Sequence, residues 1–573
     1  MNASASSRIC LAAILLIAPF EPRFTVPLGL FHLSLVEAVA LPCLAVLAFN
    51  SRRKGGPLRL APPLLALALM ILASLVSASL AVPDPGRAFK FALRLVVMAV
   101  FAALVARLKE RDLRWGLGAL VVSGSAAAIL ALLEGRGLRS LDVVLGAFRE
   151  IPFNVAGVRR ASAGSEYPNL GAGMIFYALL AGTTLLRPRP WIRAGFVLLL
   201  TTGLAHTYSR GAWIAALLGL LVAAWFETGR GRFVPASLYL GVLGLFVGSA
   251  EISQIRFGGE NANDFYVATY VTPRQFAMEP GARITVPVTV RNAGRRPWRK
   301  AEQIHLSYHL YENSRRPLVD GPRADLPRDV LPGETVTVEA TLQAPGSEGE
   351  YVLMWDLVHE DTTWFSGQGV KPGVARLIVG RGPAAAPSVP ETEGLAAIPD
   401  TLAWRPSRLE LWRVALRMWS ANPFLGVGPD NYRWTYGALA GKTTFDTRVF
   451  SNNMFLEFAA TLGTFGLASF CAALAFALRS GWREAPHSSA ALAALSILVA
   501  MTVHGLADYL LAFTGHYLVF GFAIGSTSSR YPTTRSEQPS RIPLTSLRGA
   551  SPFRSATKQP PPTTTRLAGA RGG

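Results

Sequence analysis

Charge is scarce in this sequence, and one sign dominates what there is. Only 16% of its 573 residues are Asp, Glu, Lys or Arg, against about 25% in a soluble globular chain. With 51% hydrophobic residues and a mean hydropathy of +0.32, the bilayer must be part of its solvent. Cysteine is nearly absent: Cys10, Cys43 and Cys471 each fall inside an apolar run, which excludes a disulfide framework and a thiolate metal site. The eight histidines show no metal-ligand spacing. The first apolar run lacks a small-residue cleavage site, being followed by Pro19-Phe20-Glu21-Pro22, so it reads as a retained span.

Long apolar runs are abundant instead. About twelve approach the ~20 residues needed to cross ~30 Å of hydrocarbon, at 9–20, 33–49, 61–81, 88–106, 115–133, 168–186, 191–206, 210–226, 233–250, 453–478, 488–511 and 513–525. The net charge of +20 comes from 56 Lys plus Arg against 36 Asp plus Glu. Much of that excess lies in short loops and in the tail, which argues against nucleic acid and for the cytoplasmic bias of basic residues. With the N-terminus inside, Arg52-Arg53-Lys54, Arg107 to Arg114, Arg187 to Arg193, Arg230/Arg232 and Arg479/Arg483 all face inward. That orientation puts 134–167 and 251–452 outside.

Between these runs the pattern changes. Ile284–Val290, Ile304–Leu310, Val336–Leu342 and Tyr351–Leu357 alternate with period two and are separated by Gly, Pro and Asn, as in an antiparallel sandwich. We therefore expect a polytopic α-helical membrane protein with an inserted all-β domain. Residues 1–254 hold the first nine spans, 255–380 the sandwich, 381–400 a linker, 401–452 an outer amphipathic helix and loop, and 453–525 the last three spans. Residues 526–573 form a basic tail of disordered composition, with membrane lipid as its neighbour.

Charges beside spans are functional candidates by default. Arg87, Lys90 and Arg94 recur in steps of three and four on one helical face. They suit an anion, or equally snorkel toward headgroups. Arg210, in Tyr208-Ser209-Arg210-Gly211-Ala212-Trp213, offers a fork of donors to a phosphate, or an ordinary interfacial cation. Ser407 begins a helix whose expected apolar stripe is Leu409, Trp412, Leu416 and Trp419, with Glu410, Arg413 and Arg417 on another face. Asn422-Pro423 and Gly426-Val-Gly428-Pro429 then form a turn. The glycines do not make a dinucleotide fingerprint, because no strand precedes them.

The order of Tyr-Ser-Arg-Gly-Ala-Trp, Arg408 with Leu411-Trp412, Asn422-Pro423, Gly426-Val-Gly428-Pro429, Asn453-Met-Phe-Leu456-Glu457 and Leu462-Gly463 resembles the O-antigen ligase and polymerase superfamily. Arg159-Arg160 and Tyr167-Pro-Asn169 fit the same resemblance, and the phrases Asn292-Ala-Gly294 and Leu331-Pro-Gly-Glu334 resemble bacterial immunoglobulin-like modules. The resemblance implies a bacterial inner-membrane glycosyltransferase, needing no metal or other cofactor. It would move a glycan from undecaprenyl diphosphate to a periplasmic lipid, glycan or protein acceptor, with inversion at the sugar carbon. Arg210 and Arg408 match the family's diphosphate-binding arginines, with Lys90, Arg94 and Arg413 as weaker partners. Asn453 matches the family's Asn at the tenth span, and we count it with the binding residues.

The family's proposed base, a His before that Asn, is here Asn452, which cannot take a proton near neutral pH. His504 and Asp508, four residues apart near the end of the eleventh span, are the substitute pair. Read as structure, they are an interhelical hydrogen bond, which is the commoner role. Two rival functions use the same residues. A lipid-linked glycan flippase would need the cations but no base, and an inactive scaffold displaying the sandwich would need neither.

Overall fold

Proline opens four of the long helices, at Pro62, Pro85, Pro168 and Pro190, where its missing N–H breaks no hydrogen bond. The computed structural model describes residues 3–28, 31–53, 61–81, 84–138, 140–149, 153–155, 158–248, 265–294, 296–312, 318–360, 363–366, 370–380, 406–442 and 445–528. The expected linker and most of the expected tail lie outside them.

Each of the twelve apolar runs overlaps a helix. Among the described residues, six helices are long and apolar enough to cross a membrane: Leu35–Arg53, Pro62–Ser79, Pro85–Val105, Glu110–Gly135, Gly231–Gly248 and Met454–Glu484. The others are shorter or less apolar, among them the apolar helices Arg210–Trp225 and Ser489–Gly505.

Helix Pro168–Leu185 is buried on all sides and packs against helices Glu110–Gly135, Pro190–His206, Arg210–Trp225 and Ser489–Gly505. A helix apolar all round belongs at the centre of such a bundle. Small residues allow the approach: a side chain at Gly124 would strike Ala178, and one at Gly203 would strike Ala128. Outward, helix Pro62–Ser79 presents Leu65, Leu69, Leu72 and Val76, all exposed, in steps of three and four. Such a stripe suits lipid and not water. The helical part is that of a multi-pass membrane protein.

The insert forms two sheets around its own core of Trp298, Trp355 and alternating aliphatic side chains. Strand Thr335–Gln343 alternates exposed and buried residues without a break and pairs antiparallel with Arg283–Asn292. In the second sheet, Gly349–His359 lies between Ile304–Tyr311 and Gly373–Val379. Gly373–Val379 pairs in parallel with Gln275–Met278, a strand the sequence pattern does not reveal. The quoted phrases are turns. Asn292 accepts from the Gly294 N–H at 3.0 Å, and Gly333 turns with φ +81° before the Glu334 N–H donates to Leu331 O at 3.0 Å.

Two expectations are corrected. Helix Ser489–Gly505 ends before Asp508, so His504 and Asp508 do not share a helical face. Helix Arg408–Ala421 buries Leu411, Val414, Ala415 and Met418, while Leu409 and Leu416 are exposed. Its inner face is chosen by Tyr432, Tyr436 and Ala460, against which it packs, so the more conspicuous Trp and Leu residues are left half-buried or outward.

Candidate functional site

Arg408 and Arg210, from distant parts of the chain, both weigh on the charge of Arg160. Arg160 ends the hairpin Phe153–Val155/Val158–Arg160, and the next residue is tied to helix Pro190–His206 by the Ala161 N–H donating to His206 O at 2.9 Å. Arg160 Nε donates to Thr207 O at 3.0 Å and its Nη2 to Asn169 Oδ1 at 2.9 Å. Asn169 in turn donates to Asp508 Oδ2 at 2.5 Å, while Asp508 Oδ1 accepts from the Tyr509 N–H at 2.7 Å.

Burial lowers the Arg160 guanidinium to about 10, helped by repulsion from Arg408 and Arg210 and opposed by Asp508. It therefore remains charged at neutral pH. Arg408 and Arg210 thus add positive charge at Arg160, and Asp508 offsets part of it.

Arg210 and Arg408 are both exposed first residues of helices, Arg210–Trp225 and Arg408–Ala421. Arg210 follows Tyr208, whose backbone takes φ +53°, a conformation uncommon outside glycine and concentrated at functional sites. Ser407 and Glu410 form a reciprocal cap before Arg408: the Ser407 N–H donates to Glu410 Oε2 at 2.7 Å, and the Glu410 N–H to Ser407 Oγ at 3.3 Å.

What holds that second helix on the bundle is a break in helix Met454–Glu484. At Gly463 the backbone leaves helical geometry, with φ 65° and ψ −166°. Loop 423–428 lies against the break: Thr464 N donates to Pro423 O at 2.7 Å, Val427 N to Ala460 O at 2.9 Å and Gly428 N to Thr461 O at 3.0 Å.

Beside Arg160 lies a cavity of about 630 Å³, lined by Asn169, Asp508, Asn452, Arg448, Glu166 and Tyr167 among others. A smaller cavity of about 280 Å³ shares Arg23, Glu166, Tyr167, Arg448, Phe450 and Phe513 with it and adds Lys90, Arg94 and Arg433. The sequence-expected residues thus divide. Asp508 is linked to Arg160 through Asn169, and Arg210 and Arg408 act on the Arg160 charge but line neither cavity. Asn452, with φ +52°, lines the larger cavity.

Lys90 and Arg94 line the smaller one, and Arg94 Nε is bonded to Glu37 at 2.8 Å. Arg87, third of that stripe, pairs with Asp84 at 2.9 Å and stacks on Trp434 at 3.7 Å. Arg413 is exposed on its helix and lines neither cavity. Asn453 caps its helix, accepting from the N–H groups of Phe455 and Leu456 at 3.0 Å, and donates to Leu506 O at 2.9 Å.

His504 is 2% exposed and lies under the Arg210 turn, with Nε2 3.5 Å from Ser209 Oγ and the Phe176 ring at 5.8 Å. It makes no hydrogen bond to Asp508, and its Nδ1 has no partner among the described residues. A side chain at Gly211 would press on this ring at 3.2 Å, so the ring packs against the first turn of the Arg210 helix. The sequence reading overlooked Glu166 and Arg448, and it treated Arg160 and Asn169 only as parts of motifs. Tyr167-Pro-Asn169 was the available signal, because a polar residue at the first turn of a buried helix needs a partner.

A family profile described as O-antigen ligase matches residues 393–471. That stretch holds helix Arg408–Ala421, the Gly426–Gly428 loop and the break at Gly463. A second profile, described as an Ig-like domain from next to BRCA1 gene, matches residues 271–370, within the sandwich. No curated protein matches the chain. Residues 393–471 are thus similar to the O-antigen ligases, a similarity that suggests a ligase-type, glycosyltransferase-like activity for this membrane protein.

Proposed function

We propose that this protein transfers a glycan from undecaprenyl diphosphate to an acceptor on the outer face of the bacterial inner membrane, with Arg160, Arg210 and Arg408 holding the diphosphate. What supports this reading is that Arg160 lines the larger cavity in a hydrogen-bonded chain with Asn169 and Asp508, and that the charges of Arg408 and Arg210 both reach it. Glycosyl transfer from such a donor breaks the bond between the sugar carbon and the diphosphate oxygen. The electron pair leaves on the diphosphate, so fixed positive charge there stabilises the transition state more than the ground state. Two helix N-termini reinforce it, because Arg210 and Arg408 each open a helix whose first N–H groups and dipole favour an anion. Ser209, preceding Arg210, makes no side-chain cap, which leaves those N–H groups to a ligand or to water.

Losing one such donor costs about 10²- to 10³-fold in rate. Cells carrying Arg210→Ala should therefore accumulate undecaprenyl-linked glycan as a deletion strain does, measured by mass spectrometry of the lipid fraction. Single repeat units there would identify a polymerase, and full-length chains a ligase. Normal lipid-linked glycan levels in cells that contain folded Arg210→Ala would refute the reading.

A further inference from the structure

Transfer also needs a group to take the acceptor's proton, and the position where the resembling family carries histidine holds Asn452. Three carboxylates line the larger cavity: Glu166, Asp446 and Asp508. Two of them are committed. Asp508 accepts from Asn169 and from the Tyr509 N–H, and its charge offsets that of Arg160. Asp446 is paired with Arg448 through both oxygens, at 3.0 Å from Nε and 3.0 Å from Nη2.

Glu166 differs in place and in partners. It stands in the wall common to both cavities, half-buried, and its side chain is hydrogen-bonded by the neighbouring Tyr167 hydroxyl. The charged groups facing it are Arg448 and Arg23, which favour its ionised form, and Glu21, which opposes it. Burial outweighs these influences and raises its pKa from the usual carboxylate value, toward the range in which a carboxylate is an effective base.

The histidines are placed less well. His504 borders neither cavity. His516 borders the smaller one, but its Nδ1 is bonded to the Tyr177 hydroxyl at 2.8 Å and its ring fills the space beside Gly173.

Resting on the transferase reading above, we infer that Glu166 is the base of the reaction and that the acceptor reaches it through the smaller cavity, opposite the arginine-held diphosphate. The acceptor hydroxyl gives its proton to the Glu166 carboxylate as its oxygen bonds to the sugar carbon. The bond from that carbon to the diphosphate breaks, and the electron pair departs on the diphosphate. Among mixed polar and apolar walls, the Lys90, Arg433 and Arg448 side chains of the smaller cavity suit a hydroxyl-rich acceptor end.

The test follows loss of the native lipid-linked glycan, by mass spectrometry, in membrane vesicles from cells carrying each variant. Glu166→Gln should slow that loss by about 10²- to 10⁴-fold, while the purified variant binds undecaprenyl diphosphate as the unaltered protein does. Glu166→Asp should recover part of the rate. A base must be ionised, so the unaltered rate should fall as pH drops through the raised pKa of Glu166, earlier than for an ordinary carboxylate. The residual Glu166→Gln rate should lack that limb.

If Glu166→Gln transfers normally while Arg160→Gln does not, the base assignment is wrong and the transferase reading stands. If both transfer normally, the transferase reading itself fails. Should Glu166→Gln lose undecaprenyl diphosphate binding, the acid limb of Glu166→Asp decides: a shifted limb supports the assignment and an unshifted one overturns it.

Discussion

Replacing Arg160 with Gln should slow glycan transfer by about 10²- to 10³-fold without lowering the melting temperature of the protein. The two halves of this expectation have one cause. Burial, together with the charges of Arg408 and Arg210, disfavours the charge of Arg160. A basic group whose folded pKa lies below its unfolded value opposes folding at neutral pH, so neutralising it relieves the fold. Gln can still donate toward Thr207 O or Asn169, which limits the cost of the lost contacts. What disappears is the central charge of the proposed diphosphate site. Unaltered transfer by Arg160→Gln, or a loss of transfer that follows unfolding, would count against this account.

The second large effect is structural. Gly463→Ala should lower stability by about 3 kcal/mol or more, because two penalties coincide. Its backbone angles are accessible to glycine and strained for any other residue, and an added methyl would strike the Phe424 main chain. Gly426, with φ +67°, faces the other side of the same contact, where a side chain would meet the Thr461 main chain. The damage would spread to function, because this contact holds loop 423–428, and through it helix Arg408–Ala421, on the bundle. Thermal melts of the purified protein should show a lower transition for Gly463→Ala and little change for Gly118→Ala, where an added methyl would meet nothing beyond its own helix backbone within 4 Å. Equal melts for the two variants would mean that the break in the helix carries no structural burden.

Sequence carried the local chemistry well. The Ser407 cap is legible because Ser followed three residues later by Glu satisfies two N–H groups that the helix cannot. Strand Thr335–Gln343 is legible because one face meets the core and the other meets water. The buried face of helix Arg408–Ala421 was misread for the same kind of reason in reverse: a helix apolar on two sides gives no preference until Tyr432 and Tyr436 cover one of them.

The site was legible only in part. Asn169 and Asp508 are 339 positions apart, and nothing local in either segment announces their hydrogen bond. Arg94 has the spacing of an anion ligand, yet Glu37, on another helix, takes its guanidinium. Burial of Glu166 between two cavities is likewise a property of the packed bundle, absent from the phrase Gly164-Ser165-Glu166.

The central claim is that guanidinium groups from three separate segments converge on one diphosphate. Binding of undecaprenyl diphosphate and undecaprenyl monophosphate to the purified protein and to Arg408→Ala tests it most directly. The unaltered protein should prefer the diphosphate, and Arg408→Ala should bind it at least about tenfold more weakly, the equivalent of one charge-assisted hydrogen bond. Equal affinity of the two proteins for the diphosphate would contradict the account.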